Sequence, residues 1–109
     1  MSGAKHRRKG SRIEREIVHL HTSIGIHAER VPLSGAAGGH FSGDVKIYID
    51  GPDEAPLVTE IKARKNGAGF VTLENWLGEN DALFLRRDRA EPIVVIPWRT
   101  WCRLVGRRP

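Results

Sequence analysis

The stretch from Gly43 to Lys65 constrains the fold of this chain more than any other. DVKIYID alternates apolar Val45, Ile47 and Ile49 with polar neighbours, the period-2 pattern of a strand with one buried face. Gly51-Pro52-Asp53-Glu54 is a turn signal, and APLVTEIKARK reads as a second strand. Together they predict an antiparallel hairpin in which facing residues have numbers summing to about 104. That register sets Ile47 against Leu57 and Val45 against Thr59 on one mostly apolar face. On the other face it sets Asp44 against Glu60, with Lys62 two residues along. Directly opposed Cβ atoms lie ~5 Å apart, and like charges there destabilise the pair. Two facing carboxylates call for compensation, and a divalent cation supplies it, because hard cations prefer oxygen ligands.

Around the hairpin the pattern predicts further elements. Ser11, with Glu14 three residues on, has capping-box spacing and predicts the start of a helix. Ile13, Ile17 and Leu20 would line one face of that helix, and Gly25 would close it. The ten residues before Ser11 contain several basic side chains and read as a flexible basic arm. A short strand over 24–31 ends at Pro32, and the Gly-rich residues 33–43 read as a loop. Phe70, Leu73 and Leu77 have helical spacing; ALFLRR and PIVVIP predict two strands, and WRTWCRLV a last helix. The order α-β-β-β-α-β-β-α implies an α/β layered domain over 11–109, a mixed sheet with flanking helices.

A length of 109 residues argues for one domain with one core. The single cysteine, Cys102, excludes an internal disulfide framework and is expected to be buried and inert. No apolar stretch approaches the ~18–20 residues of a membrane span, and no apolar signal core opens the sequence. A cytoplasmic setting is the expectation, with no membrane partner. The net charge of +5 is unevenly spread. Residues 1–16 carry +4, residues 17–85 carry −4, and the stretch from Arg86 onward carries +5. Basic ends suit phosphate, whereas an acidic centre does not unless some of its carboxylates hold a cation.

The spacing Asp44-x15-Glu60-x-Lys62 resembles the PD-(D/E)xK nuclease superfamily. Upstream, Lys9-Gly10-x3-Glu14-Arg15-Glu16, then Arg30 and Ser34-Gly35, resemble the archaeal-type Holliday-junction resolvases and their phage-borne relatives. One departure is Gly43, where the family usually has a proline before the aspartate. The resemblance covers roughly residues 9–77, with a looser match in the last two strands. It implies a restriction-endonuclease-like fold and an active site of Glu14, Asp44, Glu60 and Lys62. The metal would be Mg²⁺, with Mn²⁺ able to substitute. Asp44 and Glu60 would be its ligands, joined by the Ile61 carbonyl and, through water or a second ion, by Glu14. Lys62 would orient the attacking water or stabilise developing charge. Lys9, Arg12, Arg15, Arg30, Ser34, Arg64 and Lys65 are the candidates for DNA contact, mostly to backbone phosphates. One site per chain and two strands to cut imply a homodimer. The setting would be a prokaryotic or phage-infected cell.

Other readings follow from the same residues. A related nuclease would nick, repair or restrict flapped, linear or single-stranded DNA. A non-catalytic basic module would bind nucleic acid and carry Asp44, Glu60 and Lys62 as a solvated strand face. His19 and His21 diverge by about 200° on a helix and cannot share one ion, so zinc is not expected. Nor is a nucleotide cofactor, since no Gly-Lys-Ser/Thr follows the glycine-rich loop. Trp76, Trp98 and Trp101 fit a core or a subunit interface better than base stacking.

Overall fold

The computed structural model describes residues 2–31 and 44–106, with the backbone alone for 2–9. The elements are α1 (Ser2–Thr22), β1 (His27–Arg30), β2 (Val45–Tyr48), β3 (Leu57–Thr59), α2 (Phe70–Leu77), β4 (Leu83–Leu85), β5 (Ile93–Val95) and α3 (Trp98–Val105). The order is the one the sequence pattern implies. The sheet arrangement differs from it. Instead of one mixed sheet, the described strands form a three-stranded sheet β1-β2-β3 and a two-stranded sheet β4-β5, all antiparallel. Each pair joins strands adjacent in sequence, which antiparallel geometry allows without a crossover helix.

The start of α1 also differs. Residues 2–10, read as a flexible arm, are helical backbone continuous with the rest of α1. Ala4, Lys5, Arg7, Arg8 and Lys9 are good helix formers, and their propensity carries the helix past Ser11. Ser11 is therefore a residue of the helix and not its cap.

Two compact units, Met1–Ala63 and Arg64–Gly106, are described one after the other. In the first, α1 packs on β1 and β2. Among the described residues Ile26, Ala28, Val45 and Ile47 are the buried apolar side chains, with Val45 wholly enclosed. Their alternation along β1 and β2 follows from period-2 strand geometry, one face inward and one outward. Among the described side chains of α1 the most enclosed is His21, 2% exposed, whereas Leu20 is exposed. The inward face is thus rotated from the Ile13-Ile17-Leu20 stripe toward Glu14, Ile17 and His21. Burial of His21 is tolerated because its Nδ1–H donates to the Ile17 carbonyl at 2.8 Å. Gly25, at φ 84°, ends the helix in the left-handed region that favours glycine.

The hairpin register is as the sequence predicts: Val45 pairs with Thr59 and Ile47 with Leu57. Gly51, at φ 115°, makes the turn, accepting from Glu54 and donating to Tyr48. In the second unit, α2 and β5 line a small apolar cavity of about 150 Å³ with Phe70, Leu73, Leu77 and Val95. No helix among the described residues is long and apolar enough to cross a membrane.

Candidate active site

Asp44 stands at the entrance to β2, where the ladder departs from straight pairing. Its carbonyl accepts from Val31 at 2.9 Å, as a neighbour of β1 should. Its N–H turns the other way, to the Thr59 carbonyl at 2.6 Å, although Val45 is the register partner of Thr59. Straight pairing therefore ends at Val45–Thr59, and Asp44 crosses to Thr59 and does not pair with Glu60. The consequence falls on the side chain. Asp44 Oδ2 accepts the Ile61 N–H at 2.8 Å, so the carboxylate lies against the backbone that links Glu60 to Lys62. The Asp44 carboxylate thus meets the backbone next to Glu60, through a contact that straight cross-strand pairing does not predict.

Glu60 and Lys62 stand two residues apart beyond β3, and Lys62 Nζ lies 3.4 Å from Glu60 Oε2. Both side chains are more than half exposed, so this pair contributes little stability. The weak pairing leaves both groups available to other partners.

Glu14 is held differently. Arg30 Nε donates to Glu14 Oε1 at 3.0 Å, and Arg30 Nη2 donates to Ser11 Oγ at 2.8 Å. The Glu14 side chain is 17% exposed and that of Arg30 31%. In this half-buried setting a charge-assisted bond is worth more than on the open surface. Among the described residues no three His, Cys, Asp or Glu side chains gather into one metal-binding group. Glu14, Asp44 and Glu60 thus form no single three-carboxylate cluster, and Glu14 is bound to Arg30.

The donors nevertheless fit a hard divalent cation. Mg²⁺ is commonly held by only one or two carboxylates, its other positions filled by water and substrate phosphate. Asp44 and Glu60 offer two carboxylates on adjoining backbone, and the bonds described leave Asp44 Oδ1 and Glu60 Oε1 uncommitted. The Ile61 carbonyl lies in the same stretch.

Of the candidate DNA contacts, Arg12 and Arg15 are exposed on α1, and Arg30 is half-buried in the cluster just described. Arg64 and Lys65 are exposed at the start of the second unit. Ser34, with the whole 33–43 loop and Gly43, lies outside the described residues, as does the Lys9 side chain. Two features were not legible beforehand. Ser11 reads as a cap but serves as an acceptor for Arg30; its i, i+3 spacing to Glu14, which puts both on one helix face, is the signal that points to it. On the far end of the sheet, Tyr48 OH donates to Glu29 Oε2 at 2.9 Å, with the His27 ring 5.0 Å from that of Tyr48. This bond to Glu29 raises the Tyr48 phenol above its ordinary pKa, with smaller contributions from desolvation and the nearby charge. Nothing local signals that network, because it depends on how β1 registers with β2.

The sequence model of the archaeal Holliday junction resolvase family (Hjc) matches residues 5–102. The chain belongs to that family. Membership makes it a Holliday-junction-resolvase-like nuclease, and the matched span includes Glu14, Arg30, Asp44, Glu60 and Lys62. The family implies binding to branched DNA and a place in DNA recombination or repair. No curated protein and no solved structure matches the chain.

Proposed function

We propose that this protein is a Mg²⁺-dependent endonuclease that hydrolyses phosphodiesters in four-way DNA junctions, acting as a homodimer. The observation that carries the reading is the Asp44 carboxylate held on the Ile61 N–H beside Glu60 and Lys62, in a chain of this family. When bound, Mg²⁺ supplies Lewis acidity and a water acidic enough to attack near neutral pH. Asp44 and Glu60 hold it, with the Ile61 carbonyl as a third oxygen donor. Lys62, at the end of a flexible stem, exchanges its weak pairing with Glu60 for the attacking water or the charge developing on phosphate. Glu14 contributes from α1, its carboxylate oriented by Arg30.

Backbone phosphates are met by Lys9, Arg12, Arg15, Arg30, Ser34, Arg64 and Lys65, so binding depends on salt and little on base sequence. One active site per chain cuts one strand; a two-fold dimer brings two sites to the two strands of a junction. The surface we assign to the second copy is the exposed side of β4 and β5, where Phe84 and Val94 stand directly opposite each other.

A cleavage panel tests the reading, with junction, flap, duplex and single-stranded DNA offered with Mg²⁺ or Mn²⁺. The junction is expected to be cut preferentially, and chelation to stop cutting. Asp44→Asn is expected to lower the rate by roughly 10²–10³-fold or more while junction binding survives. Equal cutting of duplex and junction rejects the junction assignment. No cutting with either ion, or undiminished cutting by Asp44→Asn, rejects the metal-nuclease reading.

A further inference from the structure

Ser11 has no role in the chemistry described so far, yet it sits at the base of the half-buried Glu14–Arg30 charge cluster. Two acceptors one helical turn apart on α1, Ser11 Oγ and Glu14 Oε1, receive two different nitrogens of the Arg30 guanidinium. A single bond from Nε to Glu14 fixes a point and leaves the planar group free to swing about it. The second bond, from Nη2 to Ser11, removes that freedom, because the two donors belong to one rigid fork. Arg30 in turn belongs to a strand whose next residue, Val31, donates to the Asp44 carbonyl. The cluster is therefore tied by one backbone bond to the segment that carries Asp44. A guanidinium has more N–H donors than these two bonds use. Arg30 is thus able to keep Glu14 and meet a DNA phosphate together, provided its plane is fixed.

We infer that Ser11 is a positioning residue: its hydroxyl locks the Arg30 guanidinium and, through it, the Glu14 carboxylate in the orientation that cleavage requires. The consequence for cleavage rests on the nuclease reading above; the positioning does not. Ser11→Ala keeps helix propensity and removes only the acceptor. Small displacements of a positioned group are costly to rate. The expected result is a fall in kcat of about tenfold, the ratio that one charge-assisted hydrogen bond supports, with KM for the junction changed much less. Ser11→Thr, which retains a hydroxyl, restores the rate. In a Glu14→Gln background, Ser11→Ala adds nothing, because the group it positions is already disabled.

The second readout needs no activity. Hydrogen exchange of the Arg30 Nε–H, followed by NMR on the full chain, is expected to quicken about tenfold in Ser11→Ala and to return in Ser11→Thr. Unchanged exchange in Ser11→Ala overturns the inference. So does failure of Ser11→Thr to restore either readout, or a full additional loss on top of Glu14→Gln. A wild-type protein that cuts nothing removes the nuclease reading alone, and the exchange measurement still decides whether Ser11 holds Arg30.

Discussion

The two compact units use their apolar residues in opposite ways. In Met1–Ala63 the helix α1 covers β1 and β2, and every buried apolar side chain of the described residues lies there. In Arg64–Gly106 many large apolar side chains are at the surface: Phe84 is 69% exposed, and Val71, Trp76, Ile93, Val94 and Leu104 are exposed as well. Only Thr100 is buried in that unit, and its hydroxyl has no hydrogen-bond partner. A unit of this size exposes much of its surface relative to what it encloses. The contrast separates two tasks. The first unit has a packed frame that fixes Asp44 and Glu14 in place. The second presents apolar surface, and the proposed second copy is what would cover it.

The largest effect that tests this contrast is on association. Phe84→Ala removes a central aromatic from the proposed contact and is expected to weaken the dimer by about 2 kcal/mol or more, roughly 30-fold in Kd. Sedimentation equilibrium measures it, and an unaltered Kd moves the dimer surface elsewhere. Next is core stability. Val45→Ala, at a position with no exposure, is expected to cost about 2 kcal/mol in urea unfolding. Were it no more costly than a surface substitution, the first unit would not be the packed frame described.

The smallest effect concerns a titration at the edge of that frame. Tyr48 is the only tyrosine in the chain, so absorbance of its phenolate reports on one group. Its pKa is raised, chiefly by the hydrogen bond it donates to Glu29. A raised folded-state pKa means that this bond stabilises the protein below the unfolded tyrosine pKa, ~10, and is lost as pH rises through the folded value. Glu29→Gln is expected to bring the titration down toward the ordinary value. A midpoint unmoved by Glu29→Gln would show that the β1–β2 network does not hold in solution.

How much was legible in the sequence varied with the range of the contacts involved. The hairpin register came from alternation and a turn, both local, and Val45 with Thr59 and Ile47 with Leu57 followed. The last helix likewise spans the residues its pattern marks, Trp98–Val105. Ser11 reads as a cap because capping preference is also local, but helix propensity upstream outweighs it. Straight pairing ends at Val45–Thr59, and the Asp44 N–H crosses to the Thr59 carbonyl where Glu60 would be its partner. Alternation assumes an unbroken ladder and carries no information about such a break.

The sequence by itself determined the element order, the hairpin and its pairing, the basic ends around an acidic centre, and the motif of the resolvase family. Only the tertiary structure decided that Glu14 is claimed by Arg30, that Ser11 shares in holding it, and that Asp44 rests on the Ile61 N–H. The reason is separation along the chain. Arg30 reaches Glu14 across 16 positions, and Ile61 reaches Asp44 across 17. Such contacts exist only once α1 has packed on the sheet and the hairpin has closed, and no local pattern of residues encodes them.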